Sequence, residues 1–296
     1  MNSKVADLKD VRELIPDGSF VAIGGAWLCN HPMSIIRELI RAKAKNLTIL
    51  TVVGSIDIEL LLAAGRVRKL IFSFVSMEAF GLAPNFRRAI EKQAIEYEEV
   101  TGLAIILGLE ATGRGVPFLP YRGPFGSDLM SVNPGFYKNI VCPFTNEDLV
   151  AVPAITPDVA IIHAQRADAD GNIQVEGTSG CDVDMAKAAD KVIVSVEEIV
   201  PSDEIRKSPE KTKIPRLYVD MVVEAPMGAH PTSCIPHYVG DWWHILEYMK
   251  MARDPSMLDE YLKKYVLKPE EQYIKQVGGT KKIDKLKTLV GKGKIL

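Results

Sequence analysis

The chain has 296 residues, 47% of them hydrophobic and 25% charged, with a formal net charge of −2. These are globular values with enough apolar residues for a sizeable core, and one large α/β domain or two small ones fit the length. The near-neutral charge removes any general electrostatic case for nucleic acid or an anionic membrane surface as partner. Cys29, Cys142, Cys181 and Cys234 are widely spaced, form no Cys-x-x-Cys pair and read as free thiols in a reducing cytoplasm. The N-terminus carries no apolar signal core, and no apolar run is long enough to span a bilayer.

The first strong element is Phe20-Val21-Ala22-Ile23, which ends in Gly24-Gly25 and reads as a buried strand. Two glycines at a strand end let a ligand approach backbone N–H groups, which can hold an oxyanion during acyl transfer. A tight strand-to-helix turn would use the same residues. A helix signal starts at Ser34, with Ile35, Ile36, Leu39 and Ile40 on one face and Arg37, Glu38 and Arg41 elsewhere. Leu47 to Val53 and Leu70 to Val75 read as further strands, with a helical face of Ile58, Leu61 and Leu62 between them. Ile95 to Val100 alternates as a strand does. The segment 115–128 holds three prolines and three glycines and reads as a long functional loop. Val159 to Ala164 and Val192 to Val196 complete the buried strands, Pro201 to Pro215 reads as exposed, and Asp241 to Lys268 as helical. From Gly278 the chain reads as a solvated tail with at most a short helix. This alternation predicts an α/β fold: an open, largely parallel sheet flanked by helices, in a single domain over 1–296 with a helical C-terminal extension over 241–296. Ligands sit outside the carboxyl ends of such strands, where Gly24-Gly25, Gly54-Ser55 and Ser76 fall.

Several side chains carry candidate chemistry. Arg122 suits a substrate carboxylate through its two-pronged guanidinium, or a structural ion pair. Ser76 can donate to a ligand or cap a helix. Glu98 and Glu99 end the alternating strand, where a carboxylate can act as general base or mark an exposed acidic edge. His230, Cys234, His237 and His244 are close in sequence, but their spacing fits no closed zinc pattern, so no metal is expected. His163, inside an apolar strand, and His230 are expected to be hydrogen-bonded structural residues. No Gly-x-Gly-x-x-Gly fingerprint supports a dinucleotide oxidoreductase.

The motifs taken in order are more specific than any one of them. Gly24-Gly25 running into His31-Pro32-Met33 is followed by Gly115-Val116-Pro117-Phe118-Leu119-Pro120 with Arg122 and Gly126-Ser127-Asp128. Then come Pro157-Asp158-Val159-Ala160-Ile161-Ile162-His163-Ala164 with Asp170-Gly171-Asn172, Val196-Glu197-Glu198-Ile199-Val200, and Val223-Glu224-Ala225-Pro226-Met227-Gly228-Ala229-His230-Pro231. Over nearly its whole length the chain resembles the A (alpha) subunit of class I coenzyme A transferases, in the glutaconate CoA-transferase branch. The resemblance implies the open α/β fold of that family and a partner B subunit in a heterodimer or heterotetramer. It also implies an acyl-CoA and a carboxylic acid as substrates and no tightly bound cofactor. The nucleophilic glutamate would lie on the B subunit, with catalysis passing through a glutamyl-CoA thioester. By position, Gly24 and Gly25 would form the oxyanion loop, while Ala26, Trp27, Ser76 and Arg122 would contact substrate. A related branch contains ring-opening acyl-CoA hydrolases of steroid breakdown, whose A subunit carries a catalytic glutamate. In that reading Glu99 is the candidate base, although another register places Gly102 there. A third class, a non-catalytic effector-binding module, would normally carry a DNA-binding segment, for which there is neither room nor a basic patch.

Overall fold

The computed structural model describes residues 3–291, without the side chains of Thr280 and Gly291. Its strands, in chain order, are β1 (Phe20–Ile23), β2 (Leu47–Gly54), β3 (Val67–Val75), β4 (Glu96–Glu99), β5 (Phe118–Tyr121) and β6 (Lys138–Val141). They continue as β7 (Asp148–Pro153), β8 (Val159–Ala167), β9 (Ile173–Gln174), β10 (Lys191–Ile199), β11 (Thr212–Ile214) and β12 (Met221–Glu224). The five buried strands expected from their apolar runs are all present. Side by side, β4, β3, β2, β1, β8, β10 and β12 run parallel. β9 and β11 extend the β8 side in antiparallel fashion, giving a nine-stranded sheet.

Side chains alternate across this sheet, so each strand feeds two cores. Val21 and Ile23 pack with Ile49, Leu70 and the helix Met33–Arg41 on one face. Ala22 packs with Leu50, Ile71, Ile162 and the helix Gly102–Gly113 on the other. Helices on both faces of a parallel sheet make this a doubly wound α/β fold. Chain order reverses at β1, which has β2 on one side and β8 on the other. Ligands bind outside the carboxyl edge at such a switch point. The Gly24-Gly25 turn is placed there.

Arg37, off the apolar face of its helix, is nonetheless buried, and three expectations need correction. The Arg37 side chain is 1% exposed. It forks onto Glu270, donates to the His230 carbonyl at 2.9 Å and stacks on the Tyr273 ring, because the C-terminal helices cover that side of Met33–Arg41. The segment 115–128 is not all loop. Phe118–Tyr121 pairs with β7 in a small antiparallel sheet ordered β5-β7-β6, and Pro120 is tolerated because β5 is an edge strand. Pro201 to Pro215 is only partly exposed: it folds into a helix over Ser202–Arg206 and the strand β11, burying Ile205 and Ile214. The stretch after Gly278 forms a helix over Gly279–Gly291 that buries Leu286 and sets Lys282 Nζ 2.6 Å from Asp241. Residues 292–296 lie outside the described residues.

Candidate active site at the first strand turn

The turn after β1 is built from backbone geometry that few residues tolerate. Gly25 has φ +86°, and a Cβ there would lie 2.8 Å from both the Cys29 carbonyl oxygen and the His31 nitrogen. A Cβ on Gly24 would lie 2.7 Å from Asp182 Oδ1. Trp27 and Asn30 also hold positive φ, 53° and 54°, where side chains are normally disfavoured. Three long-range contacts hold the turn. Gly25 N–H donates to Asp182 Oδ1 at 2.8 Å, Asn30 N–H donates to the Ser233 carbonyl at 2.8 Å, and Asn30 Nδ2 donates to the Thr178 carbonyl at 2.7 Å.

These bonds correct one detail of the sequence reading. The Gly24 amide is taken by the Ile161 carbonyl, the Gly25 amide by Asp182 and the Ala26 amide by the Cys29 carbonyl. Among the described residues, the amides left uncommitted in the turn belong to Trp27 and Leu28. Gly24 and Gly25 therefore shape the loop, and the next two amides are its available donors.

His31 props the turn from beneath. Its Nε2 lies 2.7 Å from the Trp27 carbonyl oxygen, with Ser55 Oγ at 3.3 Å, and its Nδ1 lies 3.1 Å from Asp57 Oδ2. Burial disfavours the charged ring, but the Asp57 carboxylate outweighs it and the His31 pKa is raised. Asp57 likewise resists burial through its charged neighbour and is lowered. Nε2 faces the Trp27 carbonyl, while Nδ1 and Asp57 Oδ2 approach at ion-pair distance without hydrogen-bond geometry. Asp182 is fully buried, and desolvation pushes its pKa up to about 7 despite the Gly25 N–H and the nearby His31 charge. Its second oxygen has no partner among the described residues.

Beside the turn opens a cavity of about 640 Å3 lined by Trp27, Leu28, Cys29, Glu78, Ala79, Phe80, Ser233 and Trp242. Its walls are mostly apolar, and half-exposed Trp27, at 51%, forms part of them. Ala26 is buried behind, bridged to Cys29. Ser76 lies at the end of β3, where its Oγ accepts from Glu78 N–H at 3.0 Å. It shapes the short turn Glu78–Phe80 rather than lining the cavity.

The other candidates lie elsewhere. Arg122 pairs with Glu147 at 2.5 and 3.1 Å beside the small antiparallel sheet, and that pair is exposed. Glu98 pairs with Lys69 at 2.8 Å, and Glu99 is exposed on edge strand β4. Neither glutamate lines the cavity. The four-residue metal candidate does not assemble. His230 binds Tyr273 and Asp241, and His244 binds the Tyr261 hydroxyl. Cys234 instead sits with His163 and Glu197, a group with ligand atoms within 4.8 Å of one another. There His163 is bonded to Ser195 and Glu197 at 2.9 Å each, and Tyr238 donates to Glu197 at 2.6 Å, as in a satisfied core network. All four cysteines are unpaired. No helix among the described residues is long and apolar enough to cross a membrane.

Sequence reading missed His31, Asp57, Asp182 and Glu78. Asp57 did leave a trace, as one of two acids, with Glu59, inside the apolar run Ile56 to Leu62. Glu78 left none, since its run looks like an exposed helix.

A strained glycine turn at the switch point of a parallel sheet, open to an apolar cavity, defines a ligand-binding α/β protein of the enzyme type. The model of the coenzyme A transferase family matches residues 6–225, and the chain belongs to that family. It is 34% identical to the A subunit of glutaconate CoA-transferase from Acidaminococcus fermentans, over 98% of this chain and 97% of that one. The crystal structure of that enzyme superposes with a TM-score of 0.90 at 32% identity, covering 96% of this chain and 95% of the other. An uncharacterized protein of Archaeoglobus fulgidus is 38% identical over 94% of this chain, which spans 63% of that relative's length. The cholesterol ring-cleaving hydrolase IpdA subunit of Rhodococcus jostii is 31% identical over 91% of this chain and 96% of its own.

Proposed function

We propose that this chain is the A-type subunit of an acyl-CoA:carboxylate CoA-transferase, active only with a B-type subunit. The observation that carries the reading is the β1 turn, which presents the Trp27 and Leu28 amides beside an apolar cavity at the switch point. Likeness over nearly the whole chain to the A-type chain of a named CoA-transferase supports it.

In this reading the acyl-CoA is a substrate and no cofactor is tightly bound. The B subunit's glutamate carboxylate attacks the thioester carbonyl. The C–S bond breaks, leaving an acyl-glutamyl anhydride and CoA thiolate. The thiolate attacks the glutamyl carbonyl, expels the first carboxylate and leaves a glutamyl-CoA thioester. The acceptor acid then repeats the sequence in reverse. Each attack puts negative charge on a carbonyl oxygen, and two preorganised amides stabilise that charge without reorientation. His31 Nε2, 2.7 Å from the Trp27 carbonyl oxygen, holds the Trp27–Leu28 peptide in place beside the cavity.

The ring-opening hydrolase reading, supported by the similar Rhodococcus protein, would require a carboxylate of this chain as base. Its sequence candidate, Glu99, lies on the edge strand outside the cavity, whereas Glu78 is a carboxylate of this chain in the cavity wall, so the assay has to separate transfer from hydrolysis. The test is to purify the chain with the B-type subunit encoded beside it and assay exchange between acyl-CoA and acetate. A borohydride-trapped or mass-detected CoA adduct is expected on the partner, with no exchange by the lone chain. Full activity of the lone chain, or an adduct on Glu78, would overturn the two-chain reading. Hydrolysis with an unmodified partner would assign the hydrolase branch.

A further inference from the structure

Among the polar groups that line the cavity beside Trp27, one carboxylate is uncommitted. The Ser233 hydroxyl donates to the Leu28 carbonyl at 3.0 Å and also lies 3.0 Å from Cys29 Sγ. Glu78 is different. Among the described residues its carboxylate makes no hydrogen bond and no ion pair; Oε1 is enclosed, while the residue as a whole is part-exposed in the cavity wall. Its backbone is held at φ 54°, a region that disfavours a long side chain. The surrounding turn over-determines that conformation. Ser76 Oγ accepts from Glu78 N–H, Met77 N–H donates to the Gly81 carbonyl, and Gly81 N–H returns to the Glu78 carbonyl. Backbone strain maintained this way at a cavity wall points from geometry to function. The apolar surroundings also raise the Glu78 pKa through desolvation.

We propose that Glu78 selects the acyl group, accepting a hydrogen bond from a hydroxyl on an otherwise apolar acyl chain and turning away one that ends in a second carboxylate. The proposal rests on the transferase reading, in which the acyl group occupies this cavity. The physical basis is asymmetric. Trp27, Phe80 and Trp242 offer ring surface that holds any apolar acyl group by burial alone. An unpartnered carboxylate among them gains a charge-assisted bond from a hydroxyl donor. It gains nothing from a methyl or phenyl terminus, and it repels a like charge.

The test is run at about pH 8, where the carboxylate carries its charge, on the chain co-purified with its B-type subunit. The probes are 3-phenylpropanoyl-CoA and its 4-hydroxyphenyl and 4-carboxyphenyl analogues, which differ only at the far end. In the wild type, kcat/KM for the hydroxyl probe should exceed that for the phenyl probe by roughly tenfold or more. The carboxyl probe should fall about tenfold below the phenyl probe. Glu78→Gln removes the charge at nearly constant volume, so the carboxyl-to-phenyl ratio should rise by about tenfold. Glu78→Ala should bring the hydroxyl-to-phenyl ratio to within about twofold of unity. The readout is the ratio among probes within each protein. A uniform loss leaves the ratios where they were and overturns the proposal, as does a wild type that uses the carboxyl and phenyl probes equally. If no thioester exchanges, the transferase reading fails on its own. Calorimetric binding of the same three thioesters then decides: the same order supports selection by Glu78, and equal or absent binding overturns it.

Discussion

Two buried regions of this molecule are rich in polar groups, and they are built on opposite terms. Under the C-terminal helices, Arg37 meets Glu270, the His230 carbonyl and the Tyr273 ring, and His230 meets Tyr273 and Asp241. Nearly every donor there faces an acceptor. At the β1 turn, the Trp27 and Leu28 amides, one oxygen of Asp182 and the Glu78 carboxylate have no partner among the described residues. Three nearby non-glycine residues, Trp27, Asn30 and Glu78, hold positive φ. Buried polar atoms normally pair, so the first region reads as scaffold, and the strained second region, with Asp182 Oδ2 and Glu78 Oε1 enclosed and unpaired, is the one the proposed function uses.

The largest test of that contrast is at the turn itself. Gly25→Ala puts a Cβ against the Cys29 carbonyl at a φ that alanine resists. It should lower exchange by about 10²-fold or more through displaced donors, measured in the two-chain complex. Normal turnover by a folded variant would remove the turn from the chemistry.

Arg37→Met should show the opposite profile. It takes from Glu270 one of its two guanidinium partners, leaving Arg41, and from the His230 carbonyl one of its two donors, leaving the Tyr273 hydroxyl. The cost should be about 1.5–3 kcal/mol of stability and a fall in Tm of several degrees, with turnover of the folded enzyme close to wild type. A catalytic defect without a stability defect would break the distinction between the two regions.

The smallest effect sharpens the boundary between them, because Asp182 anchors Gly25 yet keeps one oxygen unpartnered. Its folded pKa of about 7 lies above the ordinary value of 3.8, so the native state holds its proton to higher pH than the unfolded chain does. The stability this group contributes is therefore fully present below about pH 4 and is lost as pH rises through 7. Asp182→Asn keeps an oxygen for the Gly25 N–H and does not ionise. Its Tm should match the wild type near pH 4 and exceed it near pH 8. A pH-independent offset in thermal melts would show that ionisation of Asp182 is not the cause.

The scaffold was easier to read in the sequence than the site. Runs such as Val159 to Ala164 announce buried parallel strands because both faces of the sheet are covered, and Ile35, Ile36, Leu39 and Ile40 repeat at helical spacing. The turn at Gly24-Gly25 was visible because two glycines interrupt such a run. Which amides remain free was not, since that depends on Asp182, far along the chain. The burial of Arg37 was hidden for the same reason: local periodicity shows only that it is off the apolar face, and its cover, Glu270 and Tyr273, lies far along the chain. Strand β5 was missed because proline and glycine signals outweighed a short edge pairing. Glu78 was invisible because positive φ in a non-glycine residue has no local sequence signature.

The long-range ties of the β1 turn also set an order of events during synthesis. β1 and its turn leave the ribosome before the residues they are tied to. Yet β1 pairs with β8, Gly25 waits for Asp182, Asn30 for Ser233 and Arg37 for Glu270. Closure over such separations is slow, because chain entropy is lost before the contacts form. The nascent N-terminal third therefore emerges with its apolar strands unpaired on one side. The turn and the helix behind it take shape only once residues as far along as Glu270 have been made, which makes them a late product of folding and a sensitive reporter of whether the rest is in place.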